Sequence, residues 1–119
     1  MVIIKADREK NYLYFLLEGT FDKSEFEKVE SAMEVEVQTL KPDFTIINDI
    51  SGFRVASPEA RQILQQLQRD LFKIGAAKMI QIIGESMIGK MQFKCSQMRA
   101  DAHYEIIEVS NLTEAQNYL

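Results

Sequence analysis

The feature that most limits what this chain can fold into is a repeated change of its hydrophobic period. Short apolar runs rich in β-branched residues, such as VIIKAD (2–7) and DFTIINDI (43–50), alternate with segments in which apolar residues recur every three or four positions. The first pattern is typical of buried strands, and the second is typical of amphipathic helices. The alternation therefore predicts an α/β fold in which helices cover a sheet.

The two periods also predict the order of the elements. Strands are predicted over residues 2–7, 12–19, 43–50, 77–84 and 104–110. Helices are predicted over residues 22–40, 57–75, 86–102 and 112–119. Because strands that alternate with helices are joined by right-handed crossovers, we expect a largely parallel sheet with the opening hairpin as an antiparallel edge. The order β-β-α-β-α-β-α-β-α predicts a single domain over residues 1–119, an α/β sandwich with a five-stranded mixed sheet and four helices.

Three helix boundaries carry explicit signals. Asp22, with Glu25 three residues later, fits a capping box at the start of the first helix. Ser57 is followed by a proline at the first helical position and by Glu59 in the first turn, which is a strong helix start. Gly75 is predicted to end that second helix.

Composition and charge exclude several classes of protein. The 119 residues carry 14 basic and 18 acidic groups, and the net charge of −4 does not favour nucleic-acid binding through the overall field. No apolar run approaches the roughly 18 residues that span a membrane. The N-terminus becomes charged at Lys5, too early for a signal peptide. We therefore expect a cytoplasmic protein with no transmembrane segment and no nucleic-acid partner.

The chain has one cysteine and one histidine, which restricts its chemistry. Cys95 cannot form an intramolecular disulfide, and a single imidazole excludes every site that needs two. His103 has no nearby partner in the sequence and is expected on the surface. Because no nucleophile, base and orienting group converge in the sequence, we expect no catalytic residues, no metal site and no cofactor.

Two motifs suggest phosphate chemistry that their surroundings do not support. GESMIGKM (84–91) satisfies the pattern G-x-x-x-x-G-K, but Met91 stands where a hydroxyl would have to reach Mg²⁺. We interpret this segment as a turn from a strand to a helix. Asp49 ends a central strand like a phospho-accepting aspartate, but we interpret it as a residue that caps the following loop.

Four sulfur-containing residues recur at helical spacing in the third helix. They are Met87, Met91, Cys95 and Met98. Such a stripe is usually hydrophobic filling, so we expect it to face the core. The alternative is that this helix leaves an apolar cleft against the sheet, which would take a lipid or another acyl compound.

Phe93 falls off that stripe and has three cations near it, Lys90, Lys94 and Arg99. An exposed aromatic residue among cations is typical of a contact surface, because aromatic residues and arginine are enriched at interfaces. The alternative is that Phe93 is partly buried near the end of the helix. Both interpretations stay open at this point.

The segment SGFRVA (51–56) is predicted to be a loop, with Gly52 as its turn residue. It leads to Ser57, whose hydroxyl would face the unpaired amides and the positive end of the helix dipole. A phosphate at this position would be tolerated electrostatically. The simpler interpretation is an ordinary N-cap, which typically contributes about 1 kcal/mol.

The segment FTIINDISGFRVASPEARQILQQLQ (44–68) and the ending EIIEVSNLTEAQNYL (105–119), together with the hairpin and first helix, carry a family resemblance. The chain resembles the STAS family, the anti-sigma-factor antagonist domains of bacteria, and in particular its sporulation-antagonist-like, Sec14-like branch. The resemblance implies a STAS-like sandwich. It also implies that a partner kinase phosphorylates a serine at the start of the second helix, and Ser57 matches that serine. Asp49 matches the end of the preceding strand.

The surroundings of Ser57 differ from the typical family pattern. Typical members have an acidic residue before the acceptor serine and a Ser-Gly pair after it, whereas this chain has Ala56 before it and Pro58-Glu59 after it. Proline has no amide hydrogen, and the carboxylate of Glu59 would repel a phosphate at close range.

These observations predict a non-enzymatic regulatory module that binds a protein partner, either a regulatory kinase or an anti-sigma-like factor. Ser57 is the candidate phospho-acceptor. The expected partner-binding loop contains Asp49, Ser51, Gly52, Phe53, Arg54, Ser57 and Glu59. A carrier of small apolar ligands is the alternative. A homodimer through the edge hairpin stays open, because an uncovered edge strand is a template for association.

Overall fold

The fold is built on a five-stranded sheet in this computed structural model, which describes residues 1–85 and 87–119. The strands along the described chain are β1 (Val2–Asp7), β2 (Tyr12–Leu17), β3 (Gly19–Phe21), β4 (Phe44–Asp49), β5 (Phe53–Ala56), β6 (Ala76–Ile82) and β7 (Glu105–Val109). The large sheet has the order β1-β2-β4-β6-β7. β1 runs antiparallel to β2, and every other neighbouring pair in this sheet is parallel. The predicted mixed sheet with an antiparallel edge is confirmed.

Helices cover both faces of this sheet. They are α1 (Lys23–Glu36), α2 (Pro58–Ile74), α3 (Met87–Ala100) and the short α4 (Leu112–Ala115), with 3₁₀ turns at Val37–Thr39 and Gln116–Tyr118. Within the described residues, no helix has both the length and the apolar character needed to cross a membrane.

The two faces of the sheet carry cores of different size. The larger core joins one face to the first three helices and includes, for example, Phe26 of α1, Leu64 of α2 and Ile46 of β4. The smaller core joins the other face to α4 through Ile47 and Ala115. Ile46 and Ile47 belong to opposite cores because successive side chains of a strand point to opposite faces.

The predicted helix starts are confirmed. Asp22 caps α1, where its carboxylate accepts from the Glu25 amide at 2.9 Å and the Glu25 carboxylate accepts from the Asp22 amide at 3.3 Å. Ser57 caps α2, and Gly75 ends that helix with a φ of +124°. Such a φ favours glycine because it has no Cβ.

A second, two-stranded sheet corrects the predicted loop over 51–56. The strand predicted over 12–19 ends at Leu17, and Gly19, with a φ of +98°, is the first residue of β3. β3 then pairs in parallel with β5. Phe21 and Phe53 stack across this pair with their ring centroids 5.4 Å apart. Burial of these two rings explains why a segment of only four residues forms a strand.

The orientation predicted for α3 is wrong. Its sulfur-containing stripe faces outward, since Met87, Met91 and Met98 are 77%, 61% and 72% exposed, and Cys95 is exposed too. Phe93 is only 3% exposed, so of its two open interpretations the contact surface is wrong and the buried one is supported.

The physical reason for this orientation is helix packing. The buried face of α3 carries the small residues Gly89, Ser96 and Ala100, and small side chains let neighbouring helices approach closely. Phe93 then enters the core edge-on against the Phe53 ring, with centroids 5.0 Å apart and planes at 84°. Such an edge-to-face contact is a favourable arrangement of two aromatic rings.

Candidate functional site

The candidate site is a corner at the carboxyl ends of the parallel strands, formed by residues 49–59, which we call the α2 corner. It begins at Asp49, the last residue of β4. One oxygen of its carboxylate accepts hydrogen bonds from the Ser51 amide at 3.1 Å and from the Ser51 hydroxyl at 2.7 Å. Asp49 therefore closes the turn after β4, as interpreted from the sequence.

Ser57 lies where the α2 corner leads into α2, and it is half-buried. Its hydroxyl oxygen accepts from the Ala60 amide at 3.1 Å, the expected N-cap bond. Its own amide donates to the carbonyl of Phe21 at 3.0 Å. These two bonds fix the start of α2 against β3.

The structure divides the predicted partner-binding loop into exposed and buried residues. Ser51, Gly52, Arg54 and Glu59 are exposed, and Asp49 and Ser57 are half-buried. Phe53 is 1% exposed, so its ring belongs to the core and not to the exposed surface of the predicted loop. Its ring lies between those of Phe21 and Phe93 and supports the α2 corner from below.

Gln92 of α3 supports the α2 corner in a way that the sequence did not reveal. Its side-chain oxygen accepts from the Ala56 amide at 2.8 Å, and its side-chain nitrogen donates to the Ala56 carbonyl at 3.2 Å. The amide group thus bonds to β5 as a neighbouring strand would. A glutamine in a helical segment gives no sequence signal for this contact, because the partner is 36 residues away.

Gly84 brings the segment after β6 against the turn after β4. A Cβ at this position would lie 2.8 Å from the carbonyl carbon of Ser51, and it would overlap the carbonyl oxygen. Only glycine fits so close to another backbone. The first residue of the GESMIGKM motif is therefore explained by packing.

The rest of the GESMIGKM motif also fits the predicted turn into a helix. Gly89 lies inside α3 and is buried. Lys90 pairs with Glu108 of β7 at 3.0 Å. Ser86 lies outside the described residues.

A groove between α2 and α3, which we call the α2–α3 groove, adjoins the α2 corner. It has a volume of about 610 Å³, and its lining includes Arg61, Met91, Cys95 and Arg99. Of the predicted contact residues on α3, Lys94 and Arg99 are exposed, and Lys90 is half-buried. The apolar part of this groove comes from Pro58, Ile88 and Met91 and not from Phe93.

The interior of the larger core contains a gap of about 30 Å³ between the sheet and the helices. Two buried amide side chains, Asn48 and Gln68, lie on its wall. Ligand pockets usually measure roughly 300 Å³ or more, whereas this gap has room for one water-sized group. It does not support the alternative of an acyl-ligand carrier.

His103 and Tyr104 lie outside the α2 corner. His103 is exposed, as expected, but it has a partner, because its Nε2 lies 2.6 Å from the Asp101 carboxylate. No three His, Cys, Asp or Glu residues in the described ranges are grouped so that they could hold a metal ion. Burial raises the pKa of the Tyr104 hydroxyl, an effect that the Gln97 amide partly offsets.

Comparison with known structures assigns the fold. The structure of an uncharacterized protein from the DUF3478 family, from Shewanella loihica PV-4, superposes with a TM-score of 0.75 over 100% of this chain and 92% of that one. That protein is described as having a SpoIIAA-like fold. This chain has the SpoIIAA-like fold. The two sequences are 16% identical, so the likeness concerns the fold alone. No protein-family model and no curated protein matches the sequence.

The SpoIIAA-like fold is the fold of the STAS anti-sigma antagonists, so the resemblance stated from the sequence is confirmed at the level of the fold. On this fold, the α2 corner follows a central strand and leads into the second long helix. The position of Ser57 at the start of that helix is confirmed.

Proposed function

We propose that this protein is a regulatory module that binds another protein through the α2 corner. The observation that carries the proposal is an exposed corner on a SpoIIAA-like fold, formed by Ser51, Gly52, Arg54 and Glu59 and ended by the N-cap Ser57. Binding residues are often found on loops held by a rigid scaffold. The proposed role is non-enzymatic, and its proposed place is the cytoplasm.

The α2 corner is packed against buried side chains, which suits a binding surface of fixed shape. The Phe21, Phe53 and Phe93 rings fill the space below it, and Gln92 holds the backbone of Ala56 from one side. A surface that is already ordered loses little conformational entropy when a partner binds. The α2 corner can therefore present one fixed shape to its partner.

Phosphorylation of Ser57 is the proposed switch. A partner kinase would transfer the γ-phosphoryl group of ATP to the Ser57 oxygen, which loses its proton as the new O–P bond forms and ADP leaves. The modification adds about −1.5 to −2 charges at the positive end of the α2 dipole, next to Glu59. The changed charge of the exposed corner would then change the affinity for the partner.

Site-specific photo-crosslinking tests the binding role. A photoreactive amino acid at Glu59 should capture a protein in cells of the source organism. The matched control is the same amino acid at Lys10, which is exposed in the turn at the opposite end of the sheet, near the start of β4. Equal capture at both positions, or none at Glu59, would show that the α2 corner is not the binding surface.

A separate measurement tests the switch. The protein is incubated with ATP and candidate kinases, and its intact mass is recorded beside that of the Ser57→Ala variant. We expect a gain of one phosphoryl group that the variant lacks. A gain that persists in the variant, or no gain at all, rejects the switch and leaves the binding proposal to be judged by crosslinking.

A further inference from the structure

We propose that the α2–α3 groove binds an acidic amphipathic helix of a protein partner. This inference rests on the proposed function, because it names the chemistry of the partner that such a module would bind. Two observations carry it: the apolar outer face of α3 and the cations of the groove.

The outer face of α3 exposes large apolar side chains of the kind that are usually buried in a core. Met87, Ile88, Met91 and Met98 are each more than 60% exposed and recur at helical spacing. The inner face of the same helix buries the polar residues Ser96 and Gln97. A contiguous exposed apolar stripe marks an interaction site more often than a free surface. Methionine suits such a site, because its flexible thioether adapts to the shape of a partner.

The charged side chains that line the groove indicate the charge that a partner should carry. Arg61 and Arg99 both line it, and no carboxylate of the described residues does so. α3 itself carries three cations, Lys90, Lys94 and Arg99, and no acidic residue. Lys90 is paired with Glu108 of β7, so the charge of the groove itself comes from Arg61 and Arg99. This charge is opposite in sign to that of the whole chain, whose net charge is −4.

Arg61 adds to the positive charge of the groove. Its Nε is buried and has no hydrogen-bond acceptor within the described part of the chain, so no acceptor there offsets its charge. The buried Nε is closed to a partner, but the side chain as a whole is only half-buried and lines the groove. A carboxylate of a partner would therefore meet the accessible part of this side chain in a charge-assisted bond.

These properties together favour an acidic helix over other occupants. A helix that lies in a groove between two helices presents apolar anchors along one face, which would contact Ile88 and Met91, and its carboxylates would meet the two arginines of the lining. A second copy of this chain is a weaker candidate. Its acidic helix α1 exposes Val35 as its one large apolar residue, so it lacks a matching apolar stripe.

Fluorescence anisotropy with a designed peptide tests this inference. The probe is a labelled peptide as long as α3, 14 residues, with leucine at every third or fourth position and glutamate at most others. One control peptide has the same composition in an order that breaks the apolar stripe, and another has lysine in place of glutamate. We expect the acidic amphipathic peptide to bind at least about tenfold more tightly than either control.

Matched variants locate the binding site. We expect Met91→Gln and Arg99→Gln to weaken binding about tenfold each, because both replace exposed side chains of the groove. Val35→Gln and Lys28→Gln on α1 are the controls, and neither should change the affinity. Arg61→Gln should also weaken binding. If the Arg61→Gln variant folds poorly, the Arg99→Gln variant still tests the role of the cations, because Arg99 is exposed.

Several results would overturn the inference. They are equal binding of the broken-stripe peptide, wild-type affinity in both Met91→Gln and Arg99→Gln, or stronger binding of the lysine peptide. Two further results would assign the groove to another occupant. One is sedimentation of the protein with anionic phospholipid vesicles, and the other is self-association of the protein, if Met91→Gln abolishes it.

The crosslinking experiment at Glu59 is independent of the peptide experiment. If no peptide binds but the photoreactive residue at Glu59 still captures a protein, the inference about the groove is rejected and the proposed binding role of the α2 corner is kept.

Discussion

Gly84 shows how one residue without a side chain positions the α2 corner. Because its backbone touches the Ser51 carbonyl group, the turn after β4 and the segment after β6 form one packed unit. The atoms that a new Cβ would meet are backbone atoms, which cannot rotate away. We therefore expect Gly84→Ala to destabilise the protein by about 1–3 kcal/mol, as overpacking usually does.

Thermal or urea unfolding measures this change, and Gly52→Ala is the matched control. A Cβ at Gly52 would meet the Cγ of Glu18 at 2.8 Å, but that side chain is flexible and can move. The control should therefore lose less stability than Gly84→Ala. Equal losses in the two variants would contradict the proposed packing at Gly84.

Asp22 makes a second prediction, which concerns pH. The amide of Glu25 donates to its carboxylate and lowers the pKa of Asp22 below its usual value of 3.8. Because the folded-state pKa is the lower one, the stabilisation is fully present above pH 3.8 and is lost as the pH falls through the folded-state value. Replacement by asparagine keeps an N-cap but removes the titration. We expect Asp22→Asn to lose less stability than the wild type on acidification, measured by thermal unfolding at a series of pH values.

At the scale of elements, α3 shows what the hydrophobic pattern could and could not predict. The existence and the approximate ends of the helix followed from the sequence, but its buried face did not. Hydropathy favoured the methionine stripe, whereas the small residues and Phe93 determined the packing. The strand β5 was missed for a similar reason, since its burial depends on Phe21, which is distant in the sequence.

A pair of substitutions tests the orientation of α3. Phe93→Ala removes a buried ring and should destabilise the protein by about 3–5 kcal/mol. Met91→Ala removes an exposed side chain, and its effect should stay within about 0.5 kcal/mol. Chemical denaturation of the two variants gives both values. Similar losses would mean that α3 presents another face to the core.

The contact between α3 and β5 makes a separate prediction. Gln92→Ala leaves the Ala56 amide and carbonyl without their side-chain partner, which should cost about 1–3 kcal/mol. Amide hydrogen exchange should become faster at Ala56. Gln62→Ala, at an exposed position on α2, is the control and should leave that rate unchanged. An unchanged rate in Gln92→Ala would contradict a supporting role for this side chain.

At the scale of the whole molecule, the order of strands and helices was predictable. Each element has its own period of apolar residues, and capping residues or glycines mark the ends of the helices. That order also brings Asp49 to the same end of the sheet as the start of α2. The α2–α3 groove was not predictable, because it depends on how two helices pack. Two of its lining residues, Met91 and Cys95, are ones that the sequence pattern had assigned to the core.

The single domain predicted from chain length remains to be tested by its unfolding. One sheet contributes residues to both hydrophobic cores, so loss of the sheet should disrupt them together. We expect far-ultraviolet circular dichroism and tyrosine fluorescence to give coincident unfolding curves, the usual result for a small domain. Two separated transitions would indicate independent units.

Cys95 has a practical consequence. It is the sole thiol of the chain, it is exposed, and it lies in the wall of the α2–α3 groove. A maleimide dye would therefore attach at one position without any engineered cysteine. Its emission would then report whether the groove is empty or filled, so the native chain already carries the attachment point for a sensor of its own partner.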